Sequence, residues 1–181
     1  TRTTSYFSNS DLAARGKPQG EELTVLEPFR GKVPDAVFGE VYTPPVTGGN
    51  GWPRDNLRRA KTLLKDAGWV VQDLRLVNAA TGEPFRFEVL LVSPAFERIV
   101  LPYVRNLKRL GIQAKVRLVD ENQYINRFRQ LDFDMIVWVW GQSQTPGNEQ
   151  YEYWSQAAAD SAGSRNLAGV RDPVVDELIV Q

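Results

Sequence analysis

The chain has 181 residues, 42% of them hydrophobic, with 22 basic and 22 acidic side chains and therefore no formal net charge. That balance argues against nucleic acid or an anionic membrane as the main partner, because both are recognised through a basic field. Cysteine and histidine are both absent, which excludes disulfides, thiolate nucleophiles, thiolate-bound zinc, iron–sulfur clusters, Ser-His-Asp triads and HExxH sites.

The first 53 residues are interrupted by Gly and Pro at short intervals, from Gly16 and Pro18 to Pro53. They are expected to form a loop-rich, extended segment with a short strand around Leu23–Leu26. Its aromatics (Tyr6, Phe7, Phe29, Phe38, Tyr42, Trp52) argue against disorder and for packing on another surface. Gly48-Gly49-Asn50-Gly51 is read as a linker, since no GK[ST] follows it and no strand precedes it.

Regularity begins at residue 54. Leu57, Ala60, Leu63, Leu64 and Ala67 share one helical face, and Gly68 supplies the stop. Alternation at Leu74 and Leu76, turn residues over 79–83 and alternation from Phe85 to Leu91 predict a hairpin or strand pair. Ser93-Pro94 opens a helix through Leu110 that Pro102 is expected to kink or interrupt. Ile112–Leu118 alternates as a strand, and Asp120 with Gln123 resembles a capping box for a helix to about Gln130. Phe133–Trp140 reads as an apolar strand covered on both faces, and its core, Met135–Trp140, is the longest strong apolar run, far short of a membrane span. Asp172-Pro173 starts a last helix with the stripe Val174, Val175, Leu178, Ile179. Alternating β and α elements imply an α/β layer with parallel strands, and the fold expected over 54–181 is an α/β lobe, a mixed sheet with flanking helices, that forms one domain together with the segment 1–53. With neither an initiator Met nor a closing cap, the chain reads as truncated at both ends.

The strongest candidate site follows the last strand, because open α/β sheets bind ligands beyond the carboxyl ends of their strands. Trp140 would form an aromatic wall, with Gly141, Gln142 and Ser143 as polar contacts, while Trp138 reads equally as core. Asn166 is read either as a cleft-facing polar group or as a loop cap. Gly141-Gln142-Ser143 is no nucleophile elbow, since position 145 is Thr and no histidine exists. A carboxylate hydrolase using Asp134, Glu149 or Glu152 is the rival reading. No cofactor and no metal site is expected.

The run Arg54-Asp55-Asn56-Leu57, Ala60, Leu63-Leu64, Ala67-Gly68-Trp69 resembles the "NLxxAxxLLxxAGW" helix of the family 5 extracellular solute-binding proteins. Gly82–Phe85, Leu107–Ile112, Asp120–Tyr124, Phe133-Asp134-Met135 into Trp140-Gly141, Asn166 and Asp172-Pro173 follow in the same order. The oligopeptide- and dipeptide-binding branch is the nearest in pattern. The resemblance implies a two-lobed, type II periplasmic-binding-protein clamp, of which this chain would be most of the second lobe. It implies a periplasmic, non-catalytic protein that holds a small peptide and delivers it to an ABC transporter permease. An opine, a sugar or a metal chelate is the alternative solute. A lone lobe, with a face built to be covered, is expected to dimerise. Several peptide-binding members place an Asp just past the Trp–Gly corner to pair with the ligand's α-amino group. Here Gln142 and Ser143 carry no charge, so either Glu149 or Glu152 takes that role or the ligand has no free amino group there.

Overall fold

The computed structural model describes residues 5–8, 10–47, 53–143 and 145–180. The linker 48–51, Trp52 and Gln144 lie outside the described residues. In chain order the helices are α1 (Gly20–Leu26), α2 (Arg54–Asp66), α3 (Glu97–Lys108), α4 (Glu121–Arg129), α5 (Glu149–Trp154), α6 (Gln156–Ala159) and α7 (Pro173–Ile179). The strands are β1 (Trp69–Gln72), β2 (Arg75–Asn78), β3 (Arg86–Leu91), β4 (Gln113–Leu118) and β5 (Met135–Ile136). The chain divides into two compact units, Val46–Val139 and Thr1–Pro45 with Trp140–Gln181.

In the 46–139 unit, β3 is the centre of a parallel sheet of order β4-β3-β5. Val89, Leu90 and Leu91 are all buried, as expected of a strand covered on both faces. Successive side chains of a strand point to opposite faces. Accordingly Val89 and Leu91 pack with Val100 and Val104 of α3 and with Val116 of β4, while Glu88 on the other face pairs with Arg127 of α4 at 2.8 Å. Both β–α–β connections are thus used, one on each side of the sheet. Arg127 also holds Asp132 at 2.9 Å, and Arg117 reaches Glu88 at 2.6 Å. Burial pushes the Glu88 carboxyl up, but the guanidinium hydrogen bonds from Arg117 and Arg127 outweigh it and hold the group below its usual range.

The local signals read from the sequence are in place. Ser93 accepts the Ala95 N–H at 3.3 Å and Asp120 accepts that of Gln123 at 2.9 Å, each capping the turn it precedes. Three longer-range expectations are corrected. The strand at 75–78 pairs chiefly with β1, not with β3. Asp73 and Leu74, at φ 47° and 64°, make a two-residue turn with both centres left-handed, and the ladder between β2 and the next segment is limited to the bridge Val77↔Pro84. Helix α3 runs without interruption through Pro102. The missing N–H deprives only the Arg98 carbonyl, on an exposed residue where water can replace it. The apolar strand expected over 133–140 is two residues long and half uncovered, with Trp138 38% and Val139 82% exposed. Its register explains this: Met135 and Ile136 face Val89 and Leu90, and β3 ends one residue later, leaving the chain past Val137 without a partner.

In the other unit the strand expected around Leu23–Leu26 is helix α1. Glu21 and Glu22 in its first turn suit the positive end of the helix, and the Thr24 hydroxyl donates back to the Gly20 carbonyl at 3.0 Å. The C-terminal helix is as expected, with Asp172 accepting the Val174 N–H at 2.8 Å and Pro173 in the first turn. Val174 is buried, and Asp176 accepts the backbone N–H of Gln156 at 2.9 Å, tying α7 to α6.

Candidate functional site

In the order β4-β3-β5 the chain steps from β3 to β4 on one side and then crosses back over β3 to β5 on the other, and the crevice of such a sheet lies beyond the carboxyl ends of the two strands flanking the reversal, β3 and β5. Within the 46–139 unit those ends carry the Ser93 cap and Trp138. Trp138 stacks on Phe128 of α4 with ring centroids 4.4 Å apart, which leaves its other side partly exposed. Val137 contributes its carbonyl to the Tyr124 hydroxyl at 2.8 Å.

Trp140, Gly141, Gln142 and Ser143 follow in the other unit, where they form one corner. The Trp140 indole donates to the Arg165 carbonyl at 3.2 Å and lies tilted against Trp154, centroids 5.3 Å apart. The Gly141 carbonyl accepts from the Tyr153 hydroxyl at 2.9 Å. The Gln142 amide is used at both ends: it donates to the Tyr6 hydroxyl at 2.8 Å and accepts from Gln150 at 2.6 Å. Gln150 in turn accepts from the Trp154 indole at 3.1 Å and also reaches Glu149 at 3.3 Å. Ser143 donates its hydroxyl to the Thr145 carbonyl, an arrangement that activates no nucleophile. Tyr6, Gln150 and Trp154 are additions to the residues read from the sequence. Gln150 and Trp154 stand four apart and so share a face of α5, a spacing visible in the sequence, whereas the contact of Tyr6 with Gln142 spans 136 positions and left no local signal.

Asn166 is fully buried, and its amide ties its own loop to the junction of α5 and α6: it donates to the carbonyls of Ser155 and Val170 at 2.9 and 3.0 Å and accepts the Val170 N–H at 3.0 Å. The three carboxylates differ. Asp134 accepts the Glu88 backbone N–H at 2.8 Å and thereby fastens β5 to β3. Glu152 faces Arg165 at 3.6 Å. Glu149 accepts the Gly147 N–H at 3.0 Å, and backbone hydrogen bonds, its own and that of Gly147, hold its carboxyl below the usual range and therefore ionised near neutral pH. Among the described residues no group of three or more acidic side chains is placed to hold a metal. The corner thus offers two aromatic faces, amides that both donate and accept, and one carboxylate beside them, a set suited to holding a polar solute.

Residues 29–162 match the model of the bacterial extracellular solute-binding proteins, family 5, middle region. The chain belongs to this family. Among its relatives are the "Probable peptide-binding protein YejA" of Agrobacterium fabrum, 48% identical over 98% of this chain and 29% of that protein, and the "Peptidoglycan-binding protein YepA" of the same organism, 37% identical over 98% of this chain and 29% of that protein. The chain spans about 29% of the length of both. Among solved structures, the oligopeptide-binding protein AppA of Bacillus subtilis in complex with a nonapeptide matches with a TM-score of 0.60 at 21% identity, over 87% of this chain and 32% of that one. At that identity the likeness carries the fold, a mixed α/β fold of the family 5 periplasmic binding proteins, in agreement with the fold class expected from the sequence.

Proposed function

We propose that this chain is the second lobe of a periplasmic, non-catalytic oligopeptide-binding protein that serves an ABC transporter permease. The observation that carries the reading is the corner Trp140–Ser143. A half-buried indole is locked by Arg165 and Trp154, and beside it an amide network ends in an ionised carboxylate. Trp140 supplies an aromatic wall worth about 0.5–1.5 kcal/mol beyond burial, Gln142 and Ser143 supply polar contacts, and Glu149 supplies the negative charge for a ligand's amino group. Glu152 is the weaker choice, since Arg165 already answers it. The names of the Agrobacterium relatives support peptide, or peptide joined to sugar, as the solute class.

The test is a thermal-shift screen of the full-length protein against pools of peptides, sugars, peptidoglycan fragments and nickel chelates, because a ligand that binds only the folded state raises the melting temperature. Peptides or peptidoglycan fragments should stabilise it, and Glu149→Gln should weaken the response to ligands with a free amino terminus but spare their N-acetylated forms. Stabilisation by simple sugars or chelates alone would overturn the peptide reading. A response indifferent to Trp140→Ala would remove the corner from the site.

A further inference from the structure

Helix α2 has 13 residues and buries none of them. Between it and the β1–β2 hairpin lies a wedge-shaped pocket of about 370 Å³. That volume falls within the range of roughly 300–1,000 Å³ typical of small-molecule sites. Its walls are Leu64 of α2, Trp69, Val70 and Val71 of β1, Leu76 of β2 and Leu110 beyond α3. Trp69 is steadied from behind by Phe85, ring centroids 4.6 Å apart. The remaining lining groups are all cationic, Lys61, Lys65 and Arg109, and among the described residues no acidic side chain lines the pocket. Arg109 is oriented by Asn106, which accepts from it at 2.6 Å.

We infer that this wedge binds a small amphipathic carboxylate, an apolar stem ending in a single negative charge. The apolar walls take the stem at about 25 cal/mol per Å² of buried surface, and the lysines answer the charge at the exposed edge. A neutral stem would lose that second contribution, so the lining favours an anionic head on an apolar stem. A free fatty acid and the carboxyl end of an apolar peptide share this chemistry. The site draws only on residues of the 46–139 unit, and it stands or falls independently of the Trp140 corner.

Fluorine NMR of the full-length protein labelled with 5-fluorotryptophan tests it, the Trp69 resonance being assigned by its loss in Trp69→Phe. Octanoate, N-acetyl-leucyl-leucine and 1-octanol are titrated below aggregation. Octanoate or the capped dipeptide should shift the Trp69 signal saturably, and the stronger of the two identifies the source. The double variant Lys61→Glu/Lys65→Glu should weaken that binding at least tenfold, with Lys61→Gln/Lys65→Gln intermediate. Both lysines are exposed, so an unchanged melting temperature will certify the variants as folded. Equal binding of 1-octanol, equal binding by the Glu variant, or a Trp69 signal unmoved by either acid would each overturn the assignment.

Discussion

Among the described glycines, Gly111 is the position where one methyl group should cost most. Its φ is +84°, and a Cβ built there would stand 2.6 Å from the Leu76 nitrogen and 3.0 Å from the Arg75 carbonyl carbon, both backbone atoms of β2. The Gly111 carbonyl also accepts the Leu76 N–H at 2.9 Å, and Leu76 is buried. Gly111→Ala therefore adds about 1–2 kcal/mol for an L-residue in the left-handed region. Relieving the clash moves β2 away and strands a buried donor, for about 1–3 kcal/mol more. Gly82 is the internal control: its φ is +73°, but nothing lies within 4 Å of its built Cβ, so Gly82→Ala should cost only the first term. Urea unfolding should separate the two variants by roughly 2 kcal/mol. Because two units need not unfold together, amide exchange at Leu76 provides the local readout and should lose protection in Gly111→Ala alone. Equal destabilisation of the two variants, or an unchanged Leu76 amide, would refute the close-approach argument.

Leu90 has no exposed surface in the middle of β3, so Leu90→Ala should cost about 3–5 kcal/mol in urea unfolding; a loss below 1 kcal/mol would mean that the sheet is not covered on that face. Asn166→Ala strips partners from the Ser155 carbonyl and from both backbone groups of Val170, and should lower stability by about 2–4 kcal/mol. If it instead weakened ligand binding at unchanged melting temperature, Asn166 would face the ligand. The Glu88 carboxyl is depressed by Arg117 and Arg127 against the upward push of burial. A depressed folded pKa adds stability that is fully present above the unfolded value of about 4.3 and is lost as pH falls through the folded one. Wild type should therefore lose melting temperature more steeply than Glu88→Gln below about pH 4.5. Parallel curves through that window would show that the pair contributes nothing.

What was legible in the sequence was local. Ser93, Asp120 and Asp172 each satisfy a backbone N–H two or three residues ahead, so the residue type and its short-range neighbours suffice to place the cap. The turn at Asp73-Leu74 is illegible in the sequence because leucine is a poor choice for positive φ and carries no turn signature, even though the structure holds it at 64°. The length of β5 was illegible for a different reason. Val137 to Trp140 are as strand-like as Met135 and Ile136, but a strand exists only where a neighbour offers hydrogen bonds, and β3 stops at Leu91. That information lies some 45 residues upstream, at the Ser93 cap that turns the chain into α3.

The candidate site divides in the same way. An aromatic followed by Gly and amides is visible along the chain, but the Tyr6, Gln150 and Trp154 partners come from other segments, one of them at the opposite end. The uncharged Gln142 then acquires a physical reason. Its amide donates to Tyr6 and accepts from Gln150 at once, which a carboxylate, having only acceptors, cannot do. An acid at 142 would also set a second negative charge beside Glu149, since both side chains lie within 3.3 Å of the same Gln150 nitrogen, and like charges that close raise one another's pKa. With Glu149 already ionised by its backbone hydrogen bonds, the corner has room for one carboxylate. On the reading proposed above that carboxylate is Glu149, seven residues past Gln142.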